Sequence, residues 1–174
     1  MHDSDPFNLD RFVTAQAPVF TTALAELKAG RKRSHWMWFI FPQLAGLGSS
    51  PTAKFYGISG LPEAAAYLGD PLLGQRLLAC TEAVLAVQDR SLHAIFGSPD
   101  DLKFRSSMTL FGEAGGASDT PFRQALERYC AGEPDPRTLA LLRGWGRPRG
   151  RNFDAGRQEP GNQGRAQPGT LPRP

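Results

Sequence analysis

The sequence predicts an all-α fold, a compact single-domain bundle of about 6–8 helices with a disordered C-terminal tail. Three observations lead to this prediction. Proline repeatedly follows a residue suited to a helix start, apolar residues recur at intervals of three, four and seven, and no pair of strands is evident. At 174 residues, with 40% hydrophobic and 21% charged residues, the chain fits one soluble globular domain.

The first predicted helical region runs from Phe12 to Leu27, where Pro18 divides it and Gly30 ends it. Later starts are marked by proline, which lacks only an N–H group that the first turn leaves unbonded. These starts are Leu61-Pro62, Asp70-Pro71, Ser98-Pro99, Thr120-Pro121 and Asp135-Pro136. Apolar spacing predicts the longest helix at about residues 71–88. Shorter helices are predicted at about residues 92–96, 104–111, 122–130 and 139–142.

Residues 31–43, Arg-Lys-Arg-Ser-His-Trp-Met-Trp-Phe-Ile-Phe-Pro-Gln, form the most distinctive segment. Each of its four large aromatic residues would bury about 150–250 Å², which places the segment at the centre of the fold. The run is too short for periodicity to separate helix from strand, and the lack of a partner strand favours helix. Residues 44–60, rich in Gly and Ser, predict a loop with one helical turn near residues 51–56.

Composition changes near residue 142. Residues 143–174 contain seven glycines, five prolines and seven arginines. So few large apolar residues cannot offset a chain entropy of ~1–2 kcal/mol per residue. We therefore expect a helical domain over residues 5–142 and a disordered tail over residues 143–174. The tail is either an arm for nucleic acid or an acidic partner, or an extraneous extension, and its composition favours the extension.

The net charge of +3 comes from the tail, whose seven arginines and two acidic residues sum to +5 and leave −2 for the rest. A nucleic-acid-binding domain usually has a basic face of its own. Here the basic residues cluster only at Lys28, Arg31, Lys32 and Arg33. Nucleic acid is therefore not the expected partner, and the sequence identifies no protein partner.

The sequence also predicts where the protein is found. It has no run of 18 apolar residues that would predict a membrane span, and its acidic N-terminus does not resemble a secretory signal. Cys80 and Cys130 lie in predicted helices without metal-ligand spacing, so we expect reduced thiols in a cytoplasmic protein.

Two groups of residues are candidates for chemistry. His35 follows a run of cations that disfavours its charged form, so a neutral imidazole there would suit acid–base catalysis. Its alternative role is to bond a backbone carbonyl at the edge of the core. Lys103, Ser106 and Ser107 share one flank of a helix, where they either face an anion or pack against another helix. His35 and Lys103 are the candidate catalytic residues.

The segment Gly46-Leu47-Gly48-Ser49-Ser50 suggests a phosphate-binding loop more weakly. Backbone amides before a helix can hold a phosphate, and Lys54 and Tyr56 would add polar groups. However, no strand precedes the loop and the Walker pattern is absent, so a flexible connection is favoured. Scattered histidines without paired acids predict no metal site, and the sequence predicts no cofactor.

The segment 31–43 resembles the signature of a bacterial family, the domain of unknown function 1810, which is sometimes labelled calpastatin. Further matches are Phe55-Tyr56-Gly57-Ile58, Glu63-Ala64-Ala65-Ala66-Tyr67-Leu68, Leu73-Gly74-Gln75-Arg76-Leu77 and the runs 95–103 and 106–111. The resemblance covers about residues 5–142 and implies a mainly helical cytosolic domain with no settled activity. True calpastatins are disordered protease inhibitors, so that label does not suit a chain with a dense aromatic core.

The polar positions that recur in the family coincide with candidate residues: His35, Gln43, Tyr56, Lys103, Ser106 and Ser107. The leading hypothesis is a pocket for an anionic small ligand that is nucleotide-like or phosphorylated. The base of a nucleotide-like ligand would stack on Trp36 or Trp38. Its phosphate would lie near Lys103 or Arg33.

This hypothesis predicts that His35, Lys103 and Ser107 converge in one pocket. Two alternatives remain. A non-catalytic protein-interaction module predicts an exposed apolar patch in place of a deep pocket. Nucleic-acid binding would use the basic cluster and the tail, and would depend on salt.

Overall fold

Helices form all the regular secondary structure in the computed structural model, which describes residues 4–145. Ten helices follow one another in these residues: α1 (Asp10–Gln16), α2 (Phe20–Lys28), α3 (Met37–Ile40), α4 (Pro51–Phe55), α5 (Leu61–Gly69), α6 (Leu73–Ala86), α7 (Leu92–Phe96), α8 (Asp100–Gly115), α9 (Pro121–Cys130) and α10 (Pro136–Trp145). The described part of the chain contains no strand, although Leu44 and Ile58 form an isolated parallel bridge. The all-α prediction is confirmed.

Three of the helices are single turns, which is why the described residues contain more helices than the predicted 6–8. α3, α4 and α7 have four or five residues each. Each of them lies where the sequence predicts a helix or a helical turn. Pro18 and Gly30 also act as predicted, because Pro18 lies between α1 and α2 and Gly30 follows α2 with a φ of 73°.

The prediction of the longest helix is wrong: α8 has 16 residues, whereas α6, predicted at residues 71–88, has 14. α6 begins at Leu73, two residues after the predicted start, and the Asp70 carboxylate caps the turn before it by accepting hydrogen bonds from the amides of Leu72 and Leu73, both at 2.9 Å. α6 ends before Val87, whose backbone is extended.

The predicted helix caps are present at three of the proline-containing starts. The side chains of Asp70, Thr120 and Asp135 each accept a hydrogen bond from the amide three residues later, at 2.9, 3.3 and 3.2 Å. The cap predicted at Ser98 is wrong: the Ser98–Pro99 peptide bond is cis, and α8 begins at Asp100 without a side-chain cap.

α8 is the central helix and packs against α5, α7, α9 and α10. Phe104 and all of residues 106–112 are buried, so α8 is enclosed on nearly every side. Serine and threonine are small enough to let neighbouring helices approach closely. α6 forms a second centre, in contact with α2, α3, α5 and α9.

The aromatic segment 31–43 contributes to the core as predicted. Trp36 and Phe41 are fully buried. The Phe41 ring meets the Phe104 ring of α8 edge-on, with centroids 5.1 Å apart. Trp38, in contrast, is only half-buried, so the two tryptophans of this segment have different surroundings.

The C-terminal boundary differs slightly from the prediction. α10 continues through Trp145, so the first three residues of the predicted tail are helical. The remainder of the predicted tail, 146–174, lies outside the described residues.

Cys80 and Cys130 are free, as predicted. Burial raises the pKa of the Cys80 thiol to about 12, so this thiol is uncharged at neutral pH. None of the ten helices is long and apolar enough to cross a bilayer.

Candidate ligand-binding cleft

A cleft of about 480 Å³ lies between the 43–50 loop with α4 on one side and α8 with the start of α10 on the other. Small-molecule sites usually measure about 300–1,000 Å³. The lining residues are Trp38, Gln43, Leu47, Gly48, Ser49, Ser50, Ala53, Pro99, Leu102, Lys103, Arg105, Ser106, Asp135 and Arg137. The cleft thus brings together residues of α3, α8 and α10 that are far apart in sequence.

A small inner recess of about 20 Å³ adjoins the cleft and shares Trp38, Gln43 and Lys103 with it. Tyr56 and Gly57 are among the residues that line the recess alone. Its volume is enough for one water molecule or one polar ligand group. Within residues 4–145, neither the Gln43 side-chain amide nor the Tyr56 hydroxyl has a hydrogen-bond partner. Both are therefore available to a bound molecule.

Lys103 lies between an aromatic ring and a carboxylate. Its Nζ is 4.9 Å from the centroid of the Trp38 ring and 3.3 Å from Oδ1 of Asp100. The other oxygen of Asp100 lies 2.9 Å from Nζ of Lys32, whose side chain is only 8% exposed. One carboxylate thus neutralises two ammonium groups only in part, and one positive charge remains. Lys32 points inward, so the basic cluster predicted at 28–33 is not uniformly exposed.

Ser106 and Asp135 join α8 to the start of α10. The Ser106 hydroxyl lies 2.9 Å from Oδ2 of Asp135, and this same oxygen accepts a hydrogen bond from the Thr138 hydroxyl at 2.6 Å. The amide of Asp135 in turn donates to the Thr109 hydroxyl at 2.8 Å. These bonds engage the Asp135 carboxylate within the protein, which lessens its repulsion of an anion in the cleft.

Two arginines complete the charge of the cleft. Arg105 donates hydrogen bonds to the carbonyls of Glu133 and Pro134, at 3.0 and 3.1 Å, which fixes its guanidinium beside α10. Arg137 is exposed and forms no ion pair with any residue of the described range. With Lys103, the lining residues carry three cations against the single acid Asp135.

Four predicted site residues line neither the cleft nor its recess. Trp36 is fully buried, and its Nε1 donates to Glu26 at 3.3 Å. Ser107 is also fully buried, and its hydroxyl has no partner within the described residues. His35 is exposed, and Arg33 lines a separate groove. The expected convergence of His35, Lys103 and Ser107 is therefore wrong, because His35 lies on the surface before α3 and Ser107 on a buried face of α8, whereas Lys103 lines the cleft.

The sequence reasoning missed Glu26, which organises the segment before α3. Its Oε1 accepts hydrogen bonds from the amides of Arg33 and Ser34, and its Oε2 accepts the Ser34 hydroxyl at 2.9 Å. Burial alone would raise the pKa of Glu26, but the hydrogen bonds from Arg33, Ser34 and Trp36 outweigh it, so the pKa lies below its ordinary value. The position of Glu26 seven residues after Val19, on the apolar face of α2, could have indicated from the sequence that this residue is buried.

The weak phosphate-loop interpretation of residues 46–50 is not supported by the local geometry. The Ser50 hydroxyl accepts the amide of Ala53 at 3.1 Å, which uses the donor that a phosphate would need. A Cβ atom on Gly48 would lie 2.6 Å from Cβ of Ala53. Gly48 is therefore required for close packing of the loop on α4, which is only five residues long.

Two further properties bear on function. Residues 4–145 contain no group of three or more His, Cys, Asp or Glu side chains that could hold a metal ion. Within the same residues, the large apolar side chains that are exposed lie in four separate segments of the chain: Phe55, Leu61, Leu72 and Leu102.

Comparison with known proteins shows the family. The model of a family described as "Protein of unknown function (DUF1810)" matches residues 6–142. A crystal structure of the conserved hypothetical protein Rv1873 from Mycobacterium tuberculosis is similar, with a TM-score of 0.78 and 60% sequence identity over 80% of this chain and 99% of that one. No curated protein matches the sequence. The chain therefore belongs to the family of proteins of unknown function DUF1810.

Proposed function

We propose that this domain binds a small anionic ligand with a planar ring, such as a nucleotide, in the cleft that α8 and the start of α10 form with the 43–50 loop and α4. The observation that carries the proposal is the convergence of Trp38, Gln43 and Lys103 at both the cleft and its inner recess. An aromatic face, an amide and a cation at one concave site are the groups that recognise a base and a phosphate.

The charge of the site supports an anion. Arg137 and Lys103 approach the cleft from α10 and α8, and the carboxylate of Asp135 is already engaged by Ser106 and Thr138. An arginine can bind a phosphate with two parallel hydrogen bonds, which gives geometric specificity as well as affinity.

The recess supports a ligand with a polar ring edge. The Gln43 amide can both donate and accept hydrogen bonds, and the Tyr56 hydroxyl can do the same. A planar group stacked beside Trp38 would present its edge to these two side chains. The proposal concerns binding and not a reaction, since His35, the candidate acid–base group, does not line the cleft.

A thermal-shift experiment with AMP, adenosine and ribose 5-phosphate tests this function. AMP at 100 times its Kd should stabilise the full chain by about 2.7 kcal/mol. Adenosine and ribose 5-phosphate should stabilise it less at the same concentration, because each contacts only part of the site. If none of the three compounds raises the melting temperature, the proposal for nucleotides is contradicted.

Three variants test whether AMP stabilises the protein by binding in the cleft. Trp38→Leu and Arg137→Gln should each reduce the shift with AMP, because they remove the stacking face and an exposed cation. Arg143→Gln is the matched control, since Arg143 is an exposed arginine of the same helix that does not line the cleft. If all three variants retain the wild-type shift, AMP binds elsewhere.

A further inference from the structure

We propose that the protein has a second anion site, an arginine groove along α2 that binds a phosphomonoester dianion. The groove measures about 560 Å³ and shares no lining residue with the cleft. Arg31 and Arg33 line it from the loop after α2, and Arg90 lines it from the loop after α6. Thr21 and Thr22 add hydroxyl groups from the first turn of α2.

The backbone that carries Arg31 and Arg33 is held firmly. The Glu26 carboxylate accepts the amide of Arg33, and the amide of Arg31 donates to the Glu26 carbonyl at 3.1 Å. Between the two arginines, the amide of Lys32 donates to the carbonyl of Ile95 at 2.7 Å. A ligand would therefore not have to order this part of the groove.

The loop that carries Arg90 is fixed from the opposite side. The guanidinium of Arg128 donates to the carbonyls of Leu85 and Val87, the latter at 2.7 Å. The side chain of Arg90 lies over Gly30, where an added Cβ would come within 3.3 Å of its Cδ. Gly30 thus leaves the room that brings Arg90 beside the other two arginines.

The charge of the groove fits a dianion. Its lining residues include three arginines and one acid, Glu26, which gives a formal charge of +2. Both oxygens of Glu26 already accept hydrogen bonds within the protein. In the described part of the chain, the guanidinium groups of Arg31, Arg33 and Arg90 have no ion-pair or hydrogen-bond partner, and all three residues are exposed.

The cations of the groove are all arginines, a residue type that suits phosphate. A phosphomonoester carries about −1.5 to −2 charges at neutral pH and three acceptor oxygens, which match planar guanidinium forks. The groove is wide enough to leave the rest of the esterified molecule in solvent. The ester can come from a free metabolite or from a phosphorylated side chain, since both offer the same group.

Calorimetric titration of the full chain at about pH 7.5, where the phosphate is dianionic, tests the proposal. The two probes are glycerol 2-phosphate, which has no planar ring to stack on Trp38, and a phosphoserine pentapeptide, each with its unphosphorylated form as the control. We expect at least one phosphorylated probe to bind and neither control to bind. A peptide that binds much more tightly than the free ester identifies a phosphorylated protein segment as the source, and equal affinities identify a small molecule.

Four variants decide where the probe binds. Arg90→Gln and Arg33→Gln should each weaken binding by roughly tenfold or more, because each loses a charge-assisted hydrogen bond. Lys28→Gln, which removes an exposed charge of α2 outside the groove, should change Kd by less than about twofold. Trp38→Leu should have no effect, which separates this site from the cleft.

Two results would overturn the proposal. One is that neither phosphorylated probe binds the wild-type chain. The other is that Lys28→Gln or Trp38→Leu weakens binding as much as the arginine variants do. Arg33→Gln and Arg90→Gln lie on different loops, so one variant remains decisive if the other lowers the melting temperature.

Discussion

Glu26 is a buried carboxylate whose charge supports the segment leading to the cleft. It accepts the amides of Arg33 and Ser34 and the indole N–H of Trp36. Because its pKa is lowered from the ordinary value of 4.5, the stability that it supplies is complete above about pH 4.5 and is lost as the pH falls through its folded-state pKa.

We therefore predict that Glu26→Gln lowers the free energy of unfolding at pH 7 by about 1–2 kcal/mol, because neutral acceptors form weaker hydrogen bonds. The difference from wild type should shrink below pH 4.5, as Glu26 itself becomes neutral. Urea denaturation at several pH values measures this. Glu82→Gln, at an exposed position of α6, is the control and should differ little from wild type. A Glu26 effect that persists unchanged at pH 3 would be inconsistent with this explanation.

Ser106 and Ser107 are neighbours in α8, and we predict that replacing each with alanine changes the free energy of unfolding in opposite directions. Ser107→Ala removes a buried hydroxyl without a described partner and should leave stability unchanged or raise it by up to about 1 kcal/mol. Ser106→Ala removes a hydrogen bond to Asp135 and should lower stability by about 1 kcal/mol. Thermal or urea unfolding compares the two. A large loss of stability in Ser107→Ala would mean that its hydroxyl has a partner.

Sequence reasoning identified the residue types at the site better than it identified their surroundings. Lys103, Gln43 and Tyr56 do line the cleft or its recess. Trp36 and Trp38 are two positions apart in the same aromatic run, and only tertiary packing decides that Trp36 is buried while Trp38 faces the cleft. The role of Glu26 depends on amides seven and eight residues away, which no local pattern encodes.

At the scale of the helices, the start of α6 packs so tightly against the end of α5 that Gly74 has no room for a side chain. A Cβ atom on Gly74 would lie 2.2 Å from the carbonyl oxygen of Leu68, a backbone atom that cannot move aside. A Cβ atom on Gly69, the last residue of α5, would have no atom within 4 Å. The two glycines thus have different reasons to be present.

We predict that Gly74→Ala lowers the free energy of unfolding by about 1–3 kcal/mol, because the helices must separate. Gly69→Ala, the matched control, should raise it by about 0.5–1 kcal/mol through the better helix propensity of alanine. Urea denaturation of both variants tests this. Equal effects at the two positions would show that Gly74 does not limit the approach of the helices.

Most helices could be predicted from the sequence because their signals are local. Thr120 and Asp135 cap the helices that follow them, and the apolar spacing locates α2, α8 and α9. Asp70, which was predicted to start a helix before Pro71, likewise caps the turn that leads into α6, although the helix itself begins at Leu73.

At the scale of the whole molecule, the cleft exists only after α3, α8 and α10 have packed together. Trp38, Lys103 and Arg137 are separated by more than 30 residues from one another in the chain. The sequence indicated that a site would need the aromatic run together with a distant helix. The helix that became α10 was predicted, but nothing in the sequence indicated that Arg137 of α10 and Asp135 before it complete the cleft.

The central claim is that Trp38 faces a bound ligand, and two-dimensional ¹H–¹⁵N NMR of the indole N–H groups tests it most directly. The Trp36 and Trp38 signals can be assigned with Trp→Phe variants. We predict that AMP shifts the Trp38 indole signal in a saturable manner and leaves that of Trp36 unchanged, because Trp36 is buried and bonded to Glu26. No saturable change at Trp38 on addition of AMP would contradict the account.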